Sequence, residues 1–88
     1  MEKQKYVKLK EYGVFIIFSP LIPHNEFKRL EIVSAGFCHI DTTNKVVHCY
    51  GESIGLSLKS DSIEDTKKAT LQIFGTDAFL EYMKKNNS

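Results

Sequence analysis

The sequence is short of the features from which a site is usually read. It has two cysteines, two prolines, and a near balance of twelve basic against eleven acidic side chains, for a formal charge of +1. Its longest apolar run is the five residues Val14–Phe18. The charge balance gives no global pull toward nucleic acid or an acidic membrane. A bilayer span needs about 20 apolar residues, so this run cannot cross one, and no membrane association is expected. The N-terminal stretch MEKQKYVKLK has no apolar core behind its lysines, so no secretory signal is expected. Two cysteines without such a signal point to a reducing, cytoplasmic setting. There is no internal repeat, low-complexity tract, Gly-rich phosphate loop or DxD cluster. No cofactor is expected, and the chain reads as non-enzymatic.

What is present suits one small domain over residues 1–88, with residues 1–5 and 85–88 expected to fray. Tyr6–Lys10 alternates, with Val7 and Leu9 on one face and lysines on the other, which predicts a half-exposed strand. Glu11-Tyr12-Gly13 reads as a turn. Val14–Phe18 is apolar on both faces and needs cover on both. The prolines of Ser19–Pro23 break regular structure, and one short helical turn fits His24–Leu30. Strands are expected over Ile32–Asp41, Val46–Tyr50 and around Ile54–Leu58, with a turn at Thr42–Lys45. Asp61 and Glu64 read as a capping pair, opening a helix whose apolar face carries Ile63, Thr70, Leu71 and Phe74. Gly75 ends it, and Thr76 caps a second helix expected from Asp77 to about Lys84, burying Phe79, Leu80 and Met83. The plan is α+β: a small antiparallel sheet of about four or five strands, with strong curvature allowed, then one or two C-terminal helices.

The stretch CHIDTTNKVVHC, Cys38 to Cys49, is the most tempting. A hairpin turning between Thr43 and Asn44 sets Cys38 opposite Cys49 and His39 opposite His48. Neighbours on a strand point to opposite faces, so the sheet separates the two pairs. A four-ligand zinc site is therefore excluded. The cysteines read as two small, reduced, buried core residues, close enough for a disulfide in the right pair type. The histidines, with Asp41 or Glu52, form a candidate divalent-metal site, although a bulge expected near Gly51 would carry Glu52 away.

Gly51-Glu52-Ser53-Ile54-Gly55 matches the G-x-S-x-G nucleophile pattern, but a strand pattern follows it where that motif needs a helix. Lys3, Lys5, Lys8 and Lys10 with Tyr6 and Tyr12 make a candidate nucleic-acid face, or simply a solvated edge strand kept from aggregating by its lysines. Val33-Ser34-Ala35-Gly36-Phe37-Cys38 and the segment Cys49 to Ser60, followed by an acidic helix start, resemble short uncharacterised bacterial and prophage-associated reading frames over roughly residues 14–74. The resemblance implies the strand–turn–strand–helix order and a bacterial cytoplasm; no activity is attached to those frames. The leading expectation is a domain that acts by protein–protein contact, a homo-oligomer or a subunit beside another protein, with Val14, Phe15, Ile16, Ile17 and Phe18 as the interface. The alternatives are nucleic-acid binding through the lysine-bearing strand and metal binding at His39 and His48.

Overall fold

The computed structural model describes residues 3–86. In chain order it has β1 (Lys3–Leu9), β2 (Phe15–Phe18), a 3₁₀ turn (His24–Phe27), β3 (Ile32–Asp41), β4 (Val46–Tyr50), β5 (Glu52–Ser53), β6 (Leu58–Lys59), α1 (Ser62–Phe74) and α2 (Thr76–Asn86). The expected α+β architecture is present: an antiparallel sheet in the order β2-β1-β3-β4, a separate β5–β6 hairpin, and two C-terminal helices. Residues 3–5 and 85–86, expected to fray, lie within β1 and α2. The rest of that expectation falls outside the described residues.

β1 is central, paired on both sides, not the half-exposed or edge strand expected from its lysines. Tyr6 and Val7 are both fully buried, one on each face. The lysines are tolerated because long side chains carry their charge out from the sheet while their stems stay in it. Lys5 Nζ donates to Ile22 O at 3.0 Å, and Lys8 Nζ lies 3.5 Å from Asp65.

One face of the sheet joins Tyr6, Phe15, Cys38, Val47 and Cys49 to Ala69 of α1, with Ile17, Ile40 and Phe74 packed around them. The opposite face joins Val7, Phe18 and Ala35, with Ile16, Phe27, Ile32, Leu56 and Leu58 against them. The helices do cover only one face, as expected. The chain covers the second itself, with the 3₁₀ segment and the β5–β6 hairpin. Phe15 and Phe18 therefore bury on opposite sides within the domain, and each contributes about 1.5–3 kcal/mol.

Four local readings are corrected. The strand expected around Ile54–Leu58 is a tight hairpin with Ile54 exposed at its tip and Ser57 left-handed at φ 55°. In α1 the buried stripe is Asp65, Thr66, Ala69 and Thr70, while Ile63 is 71% exposed and Leu71 is also exposed. The reach back to the helix start is made by Asp65, whose Oδ2 accepts from Asp61 N at 3.1 Å, and not by Glu64. In α2 Phe79 and Met83 are half-buried, whereas Leu80 is exposed, because the helix packs mainly on α1 at the rim of the fold.

The polar stripe of α1 has a physical reason. Val47 N donates to Thr70 Oγ1 at 3.0 Å, and Cys49 N donates to Thr66 Oγ1 at 2.9 Å. On the other edge strand, Phe15 N donates to Gln72 Oε1 at 2.8 Å and Gln72 Nε2 donates to Phe15 O at 2.9 Å. One helix thus satisfies outward-facing peptide groups on both edges of the sheet. Buried backbone donors without partners cost nearly a full hydrogen bond each, so these side chains remove a penalty that apolar ones would leave.

Candidate functional site

The β3–β4 hairpin has the register read from the sequence: Cys38 opposite Cys49, His39 opposite His48, Ile40 opposite Val47 and Phe37 opposite Tyr50. Both cysteines are buried and free. The chain turns sharply after Tyr50, where Gly51 takes φ 79°, and Glu52 continues into the β5–β6 hairpin. Asp41 is committed to its own turn: its carboxylate accepts from Thr43 N, Asn44 N and Asn44 Nδ2 at 2.8–3.0 Å. These bonds, Asn44 N foremost, hold its carboxyl below the usual range. Among the described residues no group of three or more His, Cys, Asp or Glu is placed to hold a metal ion.

The lysine-bearing strand offers less to a polyanion than its sequence suggested. Besides Lys5 and Lys8, Lys10 pairs with Glu31 at 3.5 Å, and Lys3 lies over the Phe37 ring at 4.4 Å. Tyr6, one of the two rings proposed for stacking, is buried in the core. Ser53, the serine of the G-x-S-x-G match, is buried too, and its hydroxyl accepts from Leu56 N at 3.3 Å. It shapes a turn.

A polar network inside the core escaped the sequence reading. Tyr6 OH lies 2.6 Å from Asp65 Oδ2 and 2.5 Å from Ser60 Oγ. A phenol has one proton; the carboxylate takes it, and the serine hydroxyl donates to the phenolic oxygen. Burial first, then the Asp65 carboxylate, raises the Tyr6 pKa far above its ordinary value. Asp65 is 0% exposed, and its Oδ1 has no hydrogen-bond partner beyond the Lys8 ammonium facing it. The only sequence signal was the polar pattern Asp65, Thr66, Thr70 at helical spacing, which hydrophobic periodicity assigns to solvent.

His24 is a second buried polar group. Its ring lies edge-on to Phe18 and Phe37, at 5.4 and 5.7 Å between centroids, and Nε2 contacts Gly36 O at 2.8 Å. Burial, joined by nearby Lys5, lowers its pKa against the opposing effect of the Gly36 contact. Gly36 admits no other residue, because a Cβ there would meet Tyr50 O at 2.4 Å.

Of the expected interface, Phe15 and Phe18 are buried, Ile16 and Ile17 half-buried, and Val14 is 40% exposed. Val14 does not stand alone. Leu9 N donates to Val14 O at 2.8 Å and closes a hairpin loop in which Tyr12 and Gly13 both adopt left-handed backbone, at φ 60° and 61°. Glycine accepts this freely; tyrosine does so rarely. The result holds Tyr12 90% exposed. Tyr12, Gly13, Val14, Lys68, Leu71 and Gln72 line one shallow concavity between the hairpin tip and α1.

No family model, curated protein or solved structure matches the chain. No helix among the described residues is long and apolar enough to cross a membrane.

Proposed function

We propose that the chain is a non-enzymatic cytoplasmic domain that acts by protein–protein contact, and that it self-associates through the apolar surface of Tyr12, Val14 and Leu71. The observation that carries this reading is Tyr12: a large side chain held out in water by a backbone conformation that costs of order 1–3 kcal/mol for residues other than glycine. Backbone strain tends to persist where the exposed group has a use. Joining two copies strand to strand is the less favoured mode, because Gln72, Thr66 and Thr70 already occupy peptide groups on both sheet edges. Contact through side chains at the hairpin tip needs no such displacement. It also retains Val14, the exposed end of the run that first suggested an interface.

The test is sedimentation of the wild type from micromolar to millimolar concentration, beside Tyr12→Ser and Val14→Lys. The wild type is expected to dimerise with concentration, and both variants are expected to stay monomeric with unchanged far-UV circular dichroism. A wild type monomeric over the whole range, or variants that dimerise as well as it does, overturns the reading.

A further inference from the structure

We propose that Cys38 and Cys49 are a latent disulfide: a redox modification site, buried beneath α1, at which a low-molecular-weight disulfide oxidises the pair and locks β3 to β4. The argument rests on pair type. Antiparallel partners alternate between hydrogen-bonded pairs, which exchange their peptide bonds, and non-hydrogen-bonded pairs, whose peptide groups point away. Cys49 N and Val47 N both turn outward to threonines of α1, at 2.9 and 3.0 Å. Cys38 opposite Cys49 is therefore a non-hydrogen-bonded pair. There the Cα atoms stand about 4.5 Å apart, at the short end of the disulfide range. The two side chains share a face and a core cluster, and both thiols are free. The bond can form without moving either strand.

The chemistry is two exchanges. One cysteine thiolate attacks a sulfur of oxidised glutathione, forming a mixed disulfide and expelling one glutathione thiolate. The second cysteine thiolate then attacks the protein sulfur of that mixed disulfide and expels the other glutathione. Two protein thiols lose two electrons and two protons, and the reagent disulfide is reduced to two thiols. The cover of α1 sets the rate. Burial pushes the Cys38 thiol up to about 11, and burial, then Cys38 and Asp65 nearby, raises that of Cys49 as well. Neither thiol exchanges while α1 is in place; opening of α1 exposes both.

The experiment incubates the whole protein with oxidised glutathione, native and in urea, and then removes the urea. Intact mass and free-thiol counts are taken on denatured samples, and near-UV circular dichroism on refolded ones. The expected product is monomeric, lighter by two hydrogens, without free thiols, and native in its near-UV spectrum. Oxidation under native conditions should be slow, and roughly fivefold or more faster in Thr66→Ala, which loosens the cover. A product that stops at the glutathione adduct, cross-links between chains, or fails to refold while the reduced protein refolds would overturn the proposal. So would a native rate indifferent to Thr66→Ala.

Discussion

Replacing Thr70 by valine separates two ways of reading α1. By hydrophobic pattern, a helix residue facing the core should gain from losing its hydroxyl and adding a methyl, by about 0.8 kcal/mol. Helix propensity hardly differs between the two residues. The geometry gives the opposite sign. Thr70 is fully buried, and its hydroxyl is the acceptor for Val47 N at 3.0 Å in a position that is itself fully buried. Removing it leaves a buried peptide donor unpaired, at a cost of about 1–3 kcal/mol. After the methyl gain, the net loss should be about 0.2–2 kcal/mol, at roughly 4–8 °C in Tm per kcal/mol for a domain of this size. Urea denaturation measures it: the midpoint should fall with the slope unchanged. Amide hydrogen exchange localises it, with Val47 losing protection and Cys49, held by Thr66, keeping it. Thr70→Ser retains the hydroxyl and should keep Val47 protected. A Thr70→Val protein as stable as wild type, with the Val47 amide equally protected, would refute the idea that α1 is polar on its inner side in order to close a sheet edge.

Tyr6→Phe should cost about 1.5–3 kcal/mol by urea denaturation, because it strips the buried Asp65 of its 2.6 Å donor while leaving the ring packing intact; an unchanged midpoint would show the network to be incidental. Gly36→Ala should fold poorly or not at all, since the new methyl would collide with a backbone carbonyl, and a normally stable variant would contradict the strand packing at Tyr50. His24 has a folded pKa depressed below its ordinary value near 6.5, so its contribution is complete above that pH and is lost as pH falls from there through the folded value. Stability measured from pH 7.5 to 5 should fall more steeply for wild type than for His24→Gln, and parallel curves would remove His24 from the account.

Local pattern was enough for much of this protein. The turn at Thr42–Lys45 and the apolar parity on either side of it specify the β3–β4 register, because a one-residue slip would turn every side chain to the wrong face. Gly75 and Thr76 mark the break between the helices for equally local reasons. Other decisions belonged to the tertiary structure alone. Whether β1 is central or at an edge depends on which strands flank it, and its lysines say little because their charges can reach water from either place. Whether both faces of Phe15–Phe18 are covered from within the chain depended on the loop of residues 19–30 and the β5–β6 hairpin folding back over the second face. The polar stripe of Asp65, Thr66 and Thr70 is buried because peptide groups and a phenol from distant segments point at it. Hydrophobic periodicity counts the apolar surface a segment offers; it cannot count the hydrogen-bonding groups that the rest of the chain will bring to meet it.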